Sequence, residues 1–136
     1  MKKTMLGFVA MLMIGLILTP VYAEPQEKPD LVVDIDASYD NGYIVVNGLM
    51  KNQGKADVMS ALFVNVEVET PSGLKYTMRA GNLYAIIVPG ESRGFGFRFL
   101  AIEHGVYKLK ATVDPENLVE ESSENNNSKT KAVNVK

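Results

Sequence analysis

The sequence predicts an all-β protein in which two antiparallel sheets pack face to face. Short segments alternate between apolar and polar residues with the period of two that a half-buried strand requires. Turn-forming clusters separate these segments, among them Asp40–Gly42, Pro71–Gly73 and Pro89–Gly90. No window after Ala23 has helical periodicity. About seven short strands with this spacing are typical of an immunoglobulin-like antiparallel β-sandwich.

The first part of the chain has the layout of a secretory signal peptide. Two lysines open it, the mostly apolar run Met5–Leu18 follows, and Pro20 breaks the run shortly before the small residue Ala23. Cleavage after Ala23 is expected because the run is shorter than the ~20 residues that span a bilayer. A retained membrane anchor is the alternative. The predicted organisation is a signal helix over residues 1–23, a flexible lead-in over 24–29 and one domain over 30–136.

The composition excludes several classes of protein. The chain has no cysteine, which excludes disulfide bonds, thiol catalysis and the acylated-cysteine anchor of lipoproteins. Its formal net charge is −2 and becomes more negative once Lys2 and Lys3 are removed, so neither nucleic acid nor an anionic membrane is the expected partner. We expect a secreted, extracytoplasmic protein, periplasmic or extracellular, that is free of the membrane after signal cleavage.

The first half of the domain predicts three strands. Leu31, Val33 and Ile35 alternate with acidic residues and define one apolar face. Gly48 interrupts the second segment, and a glycine inside a strand marks a bulge or a close approach of another group. The predicted strands cover residues 31–39, 43–51 and 62–69.

The second half predicts the remaining strands. Phe95, Phe97 and Phe99 alternate with glycine and arginine, so these rings are expected to supply much of the core. Tyr107 follows Gly105 at the start of the penultimate strand, the position of the tyrosine corner in many sandwiches. A weaker strand is predicted over 74–79, an apolar run over 85–88, and further strands over 95–99, 105–113 and 130–135.

The loop Val113–Ser128 is rich in acidic and amide side chains. A loop between strands leaves backbone N–H and C=O groups without ladder partners, and asparagine and aspartate side chains satisfy such groups. We therefore predict a structural role, in which Leu118 and Val119 plug the end of the core. Asn126 and Asn127 then tie the loop to the start of the last strand.

Calcium binding is the alternative interpretation of this loop. Calcium takes six to eight oxygen ligands from carboxylates, amides and backbone carbonyls. The spacing is not that of an EF-hand, and the sequence suggests no other cofactor. The Asn126–Ser128 triplet is in addition an acceptor sequence for N-glycosylation. The candidate calcium ligands are Asp114, Asn117, Glu121 and Glu124, with Glu120 and Asn125 as further oxygen donors.

Catalysis is not predicted. His104 is the only histidine, and one histidine without cysteine cannot build the usual zinc sites. No nucleophile elbow or other catalytic motif accompanies it. Glu67 and Glu69 are paired carboxylates, but residues two apart on a strand share a face and are expected to be solvated.

Two further functions stay open as alternatives. A small exported copper carrier would use methionine thioethers, which bind Cu(I), and the candidates are Met50, Met59 and Met78 with His104. These residues lack a metal-binding spacing, and Met50 suits the core better. An inhibitor of exported proteases would use the loops at one end of a sandwich.

Four fragments resemble the CARDB family, the cell-adhesion-related domain of bacteria that also occurs in archaea. They are "PDLVV" at Pro29–Val33, "VNGLMKNQGKADV" at Val46–Val58, "VPGES" at Val88–Ser92 and the longest, Gly105–Asn127. The resemblance extends from about Pro29 to Val135. The family's motif falls on Asn52, Gly54, Gly105, Tyr107, Asp114, Pro115, Asn117, Glu121, Glu124, Asn126 and Asn127.

This resemblance implies an extracellular immunoglobulin-like module that serves adhesion or surface display. Its partner would be a protein or a glycan at the cell surface, bound without catalysis. Family members usually occur as repeats or beside other domains, whereas a single module is predicted here. Recognition is expected at loops, or at an edge strand that accepts a partner strand. The candidates are the loops Asn52–Asp57, Ser72–Gly73 and Glu116–Asn127 and the edge strand Leu74–Arg79.

Overall fold

The computed structural model describes residues 22–136, without the side chains of residues 82–85. This part of the chain is all-β, as predicted. Residues 1–21, and with them nearly all of the predicted signal helix, lie outside the described residues. Among residues 22–136 there is no helix with the length and apolarity to cross a membrane. The strands are β1 Leu31–Asp40, β2 Tyr43–Asn52, β3 Val58–Glu69, β4 Lys75–Ile87, β5 Ser92–Leu100, β6 Gly105–Val113 and β7 Ser128–Val135.

The strands form two antiparallel sheets, so the predicted sandwich is confirmed. One sheet has the order β1-β2-β5 and the other the order β4-β3-β6-β7. The strand β4 pairs with β3, whereas the fourth strand of constant-type immunoglobulin domains joins the opposite sheet. As a result β4 is an edge of the four-stranded sheet, which confirms the edge position predicted for 74–79.

The core between the sheets is mainly aliphatic. Phe95, Phe97 and Phe99 are only half-buried at its margin, so the prediction that they supply much of the core is wrong. The physical reason is that β5 is an edge strand of the three-stranded sheet, which leaves one flank of each ring open. The buried apolar side chains are Leu31, Val33, Ile35, Ile44, Val46, Met50, Val58, Leu62, Val64, Val66, Val68, Ile87, Tyr107, Leu109, Ala111, Val113, Val119, Val133 and Val135.

Gly48 marks a close approach and not a bulge. It pairs in unbroken register with Ile35 on one side and Phe95 on the other. A Cβ atom at Gly48 would lie 2.1 Å from Cζ of Phe95, so the phenyl ring occupies the space of the missing side chain. An edge aromatic thereby covers a glycine of the neighbouring strand on the core face.

The strand β4 is longer than the sequence predicts. The weak segment 74–79 and the apolar run 85–88 belong largely to one strand that crosses Gly81 and Asn82. The register against β3 shifts between Ser60 and Leu62, which identifies a bulge. Gly81 has φ 141°, and a Cβ atom there would lie 2.4 Å from the Leu62 carbonyl oxygen. Gly81 therefore permits the bulge that keeps the strand continuous.

The tyrosine corner is confirmed at Tyr107. The side chain is 1% exposed, and its hydroxyl oxygen accepts a hydrogen bond of 3.0 Å from the backbone N–H of Glu103. This contact fixes the crossing from β5 to β6. Nearby, the Glu103 carboxylate accepts hydrogen bonds from the backbone N–H and the hydroxyl of Ser72, at 2.8 and 2.9 Å.

Candidate functional site

Most of the motif residues meet at one end of the sandwich. At this end β1 and β7 begin and β2 and β6 end. The loops Asn52–Asp57 and Glu116–Asn127 lie there together, whereas Ser72–Gly73 and the tyrosine corner lie at the opposite end. Three segments form what we call the N-terminal clamp: residues 28–31, residues 52–54 and residues 114–127.

Asn52 is the fully buried centre of the clamp. Its Oδ1 accepts hydrogen bonds from the backbone N–H groups of Asp30 and Gly54, at 3.2 and 3.0 Å. Its Nδ2 donates to the carbonyl oxygens of Ala56 and Ile87, at 2.8 and 2.9 Å. One amide thus satisfies four backbone groups from three segments, which is how a buried polar side chain stabilises a loop region.

Gly54 lets the incoming chain pass close to this turn. A Cβ atom at Gly54 would lie 2.4 Å from the nitrogen of Asp30 and 2.6 Å from the carbonyl oxygen of Lys28. The carbonyl oxygen of Lys28 accepts from the N–H of Lys55 at 3.0 Å, and that of Asp30 accepts from Gln53 at 2.8 Å. The last residues of the predicted lead-in are therefore bonded to the domain.

The loop after β6 holds the same segment from the other side. Asn126 donates through Nδ2 to the Asp30 carboxylate at 2.8 Å, and the N–H of Ser122 donates to the carbonyl oxygen of Pro29 at 2.9 Å. Lys28 also forms an ion pair with Glu120. The incoming chain thus lies between two loops that bond to it independently.

Glu121 is the buried acid of the clamp, with 6% of its surface exposed. Its Oε2 accepts from the backbone N–H of Leu31 at 2.5 Å, and its Oε1 accepts from Nδ2 of Asn127 at 2.6 Å. Burial raises the pKa of Glu121 to about 7, the two hydrogen bonds oppose the rise, and the charges of Glu124 and Asp114 add to it. The carboxyl contacts backbone and amide groups, so its shifted pKa reflects a structural environment.

Asp114 begins the loop and shapes its first turn. Asp114 and Asn117 have positive φ, 46° and 53°, a conformation that aspartate and asparagine tolerate better than most residues. The buried Asp114 carboxylate accepts from the backbone N–H groups of Leu118 and Val119, at 3.0 and 2.9 Å. Val119 is buried as predicted, but Leu118 is 52% exposed, so it does not plug the core. In this turn the Val119 side chain points into the core and the Leu118 side chain points to solvent.

Two buried acceptors in the clamp have no hydrogen-bond partner among the described residues: Oδ1 of Asn126 and Oδ1 of Asn127. Each amide uses its nitrogen to hold a carboxylate, Asp30 and Glu121 respectively. The Asn126–Asp30 pair joins the loop to the start of β1, whereas the Asn127–Glu121 pair lies within the loop and holds the carboxylate that bonds Leu31.

The predicted calcium ligands do not form a cage in this arrangement. Oxygens of Asp114, Glu121 and Glu124 accept hydrogen bonds from backbone N–H groups, the last of them from Glu121 at 3.0 Å. Across residues 22–136 no three His, Cys, Asp or Glu side chains are grouped closely enough to hold a metal ion. Calcium binding at Asp114, Asn117, Glu121 and Glu124 stays a prediction, and it would require these hydrogen bonds to be exchanged for metal contacts.

The other sequence candidates lie apart from the clamp. Met50 is in the core, Met59 on β3 is 75% exposed and Met78 on β4 is half-buried. Glu69 pairs with Lys75 and Lys108, at 3.3 and 3.4 Å, and these partners lower the pKa of Glu69. This pairing agrees with the solvated strand face predicted for Glu67 and Glu69.

Sequence reasoning missed how the clamp is assembled. It assigned Asn52 and Gly54 to a turn, the acidic loop to its own backbone, and Asn126 and Asn127 to the start of the last strand, whereas Asn126 bonds Asp30 ahead of β1. The link between the two loops is Asp30, which contacts Asn52, Gln53 and Asn126. The usable signal was the Pro29-Asp30 pair ahead of the first apolar strand, because an aspartate there has no ladder partner of its own.

Comparison with known proteins places these residues in a wider context. The family model CARDB matches residues 28–131, which begins at the first clamped residue. The crystal structure of the CARDB domain of a Pyrococcus furiosus protein in complex with di-metal ions is 31% identical, with a TM-score of 0.66, and the match covers 82% of this chain and 96% of that one.

Two other solved structures show how far the likeness extends. A domain of a putative cell surface protein from Methanosarcina acetivorans is 26% identical over 80% of this chain and 93% of that one, with a TM-score of 0.60. β-Glucosidase 3B from Thermotoga neapolitana is 14% identical over 79% of this chain but only 16% of that one, with a TM-score of 0.53. The last likeness concerns the fold alone. No curated protein matches the chain.

Proposed function

This chain belongs to the CARDB family of non-enzymatic immunoglobulin-like modules, and from that premise we propose that it is an exported module for protein or glycan contacts at the cell surface. In this proposal the N-terminal clamp is an attachment device in the form of the protein that retains its N-terminal segment as an anchor, the alternative to cleavage. There it fixes the direction in which that segment leaves the sandwich, so that the faces and the distal loops are presented at a defined angle. After cleavage the clamp only closes this end of the domain.

The observation that supports the proposal is the set of hydrogen bonds that the motif residues form. Asn52 and Glu121 accept from backbone N–H groups of residues 30 and 31, and Asn126 donates to the Asp30 carboxylate, so the incoming chain is held from both sides. A module that displays a binding surface benefits from a rigid junction, because a fixed junction lowers the entropy lost when the surface binds its partner.

The two engaged carboxylates support a structural and not a catalytic use of this end. Asp114 and Glu121 are 3% and 6% exposed and hold backbone N–H groups. A general acid or base must reach a substrate, and a buried carboxyl that is already bonded to the backbone is poorly placed for this.

Capture of labelled envelope material from the producing cells tests the proposal. The protein is immobilised through its C-terminus, and saturable retention is expected that a heat-unfolded sample lacks. Retention of nothing above that control would refute a binding role.

A variant at the clamp sharpens the experiment. Glu124→Ala removes an exposed carboxylate that caps the Glu121 N–H, and it should leave capture unchanged if the clamp only attaches the module. Loss of capture without loss of folding would instead make the loop Glu116–Asn127 the recognition surface. Amide hydrogen exchange at residues 30 and 31 reports separately whether the junction is rigid.

A further inference from the structure

Two glycines, Gly94 and Gly96, leave the middle of the outer face of β5 without side chains. Gly48, Gly54 and Gly81 are needed because a Cβ atom at each would lie less than 3 Å from another group. At Gly94 the nearest atom would be Cδ2 of Leu49 at 3.8 Å, an ordinary contact, whereas at Gly96 the Val46 carbonyl oxygen and Oδ1 of Asn47 would both lie at a tight 3.2 Å. Neither residue has a positive φ. Gly94 therefore has neither a conformational nor a packing reason, and a strand glycine of this kind often marks a site where another molecule approaches the backbone closely.

These glycines form the floor of a trough on the outer face of the three-stranded sheet. The trough has a volume of about 600 Å³ and is open to solvent. Leu49, which is 53% exposed, lies beside Gly94. The far wall is formed by the carboxylates of β1. The side chains that line the trough as a whole are those of Asp34, Asp36, Asn47 and Leu49.

The bare floor fits an aromatic ring. On the core face of the same sheet, Gly48 of β2 is covered by the ring of its cross-strand neighbour Phe95. On the outer face, Gly94 and Gly96 are two residues apart and therefore about 7 Å apart along the strand, which is the space of one ring. Flat peptide backbone next to an exposed leucine is the surface that an aromatic side chain covers best.

The wall of the trough selects a positive charge. Asp34 forms no ion pair with any described residue, and its Oδ1 accepts only the N–H of Ile35 at 3.0 Å. Asp36 is already paired with Lys131 at 3.0 Å. Lys51 and Arg98 stand at the two ends of the trough, the latter over the ring of Tyr43, and they repel a cation there. A cation therefore fits best in the middle of the trough, beside the Asp34 carboxylate.

The register fixes how far apart the two groups of a ligand must be. Asp34, Leu49 and Gly94 lie in one row across the strands. Neighbouring strands are about 4.8 Å apart, so the carboxylate row is about 10 Å from the glycine row. An extended segment that crosses the sheet with an aromatic residue at one position and lysine or arginine two positions later spans about 7 Å along its backbone, and the long basic side chain covers the remaining distance of about 3 Å.

We propose that this trough is the docking site for an extended segment of a partner protein that carries an aromatic side chain and, two residues away, a lysine or arginine. The ring lies on Gly94 and Gly96, and the cation pairs with Asp34. This inference rests on the proposed function, in that it names the surface and the chemistry by which the module recognises its partner.

Titration of ¹⁵N-labelled protein with the peptide acetyl-Gly-Phe-Gly-Lys-Gly-amide tests the site. Saturable shifts at millimolar peptide are expected for the amides of Asp34, Leu49, Gly94 and Gly96. Peptides with leucine in place of phenylalanine, or glutamate in place of lysine, should bind at least about tenfold more weakly, a factor that corresponds to one lost specific contact.

Variants make the test independent of folding. Gly94→Val fills the floor with a residue that strands favour, and it should keep or raise the melting temperature while it weakens peptide binding by about tenfold or more. Asp34→Asn keeps the shape and should remove the preference for lysine over glutamate. Thr77→Val, on the outer face of the other sheet, is the matched control and should bind as the wild type does.

Several results would overturn the proposal. These are the absence of saturable shifts, equal binding by folded Gly94→Val, shifts at the trough with a neutral hexasaccharide in place of the peptide, and self-association in sedimentation that Gly94→Val abolishes. Envelope capture distinguishes the failure of the trough proposal from the failure of the proposed function. If the wild type captures a partner and Gly94→Val captures it equally, only the trough is refuted, whereas no capture by the wild type refutes the binding role itself.

Discussion

The two ends of the sandwich are closed by different chemistry. At the N-terminal clamp, buried amide and carboxylate groups bond to backbone from segments that are far apart in sequence, as Leu31 and Glu121 are, 90 residues apart. At the opposite end, the hydroxyl of Tyr107 bonds to Glu103, only four residues away, and exposed groups of Ser72 and Glu103 close the turns.

This difference follows from where the chain enters the domain. At the distal end consecutive strands are joined by short turns, which satisfy much of their own backbone. At the clamp, residues 28–30 precede β1 and have no neighbouring strand, so backbone N–H groups of two loops, together with the side chains of Asn52 and Asn126, supply their hydrogen bonds. Polar motif residues therefore concentrate where the backbone lacks a ladder.

The largest effect is expected for Asn52→Ala. The change leaves four buried or partly buried backbone groups without this partner, and each contributes about 1 kcal/mol, so the free energy of unfolding should fall by up to about 4 kcal/mol. Urea denaturation measures the loss. Asn47→Ala, at an exposed strand position, is the control and should change stability by less than about 0.5 kcal/mol. Equal effects at both positions would contradict a central role for Asn52.

A pH effect of nearly this size is expected from Glu121. Its pKa is about 7 in the folded state against an ordinary 4.5, so folding favours the protonated form. The stability that this group contributes is fully present below pH 4.5 and is lost as the pH rises through about 7, a fall on the order of 3 kcal/mol. Urea denaturation between pH 5 and pH 8 should show the fall.

Glu121→Gln is the matched variant for this measurement. A glutamine cannot ionise, so its stability should be nearly flat over the same range. Asp36, Glu69, Glu103 and Glu120 have lowered pKa values, and they act in the opposite direction only at more acidic pH. If the stability of the wild type changes with pH as little as that of the variant, burial does not raise the pKa of Glu121.

A smaller effect is expected at the opposite end. Tyr107→Phe removes the hydroxyl that accepts the Glu103 N–H and keeps the buried ring, so the loss should be about 1 kcal/mol. Tyr39→Phe, at an exposed strand position, serves as control and should have no measurable effect. If Tyr107→Phe cost as much as Asn52→Ala, the two ends would not differ in the way described above.

The smallest effect is expected from calcium. Because the carboxylates of Asp114, Glu121 and Glu124 already accept backbone hydrogen bonds, millimolar calcium should leave the melting temperature unchanged. Thermal unfolding with calcium and with a chelator measures this. A clear rise that Glu124→Ala removes would establish the calcium site predicted from the sequence.

Several features of the fold follow from local pattern alone, and the exceptions have physical causes. Alternation identified the strands because one face of each is buried. It could not predict how completely Phe95, Phe97 and Phe99 are buried, since burial depends on whether a strand is central or at an edge of its sheet. It also divided β4 into the segments 74–79 and 85–88, because a bulge interrupts the alternation by which a strand is identified.

The motif residues of the clamp were identified from the sequence, but their use was not. Asp114 bonds within its own loop, and that role was predicted. Glu121 and Asn126 bond to residues 90 and 96 positions away, which no local pattern specifies. The same holds for Asn52, whose amide joins three segments that meet only after both sheets have formed.

The sequence by itself determined the all-β class, the strand alternation and the set of polar residues that distinguishes this family, because these depend on periodicity and local turn chemistry. Only the tertiary structure decided which of those polar groups are buried, which backbone segment they hold, and which glycines remain uncovered on an outer face. Those outcomes depend on strand order and register, which bring together residues from distant parts of the chain.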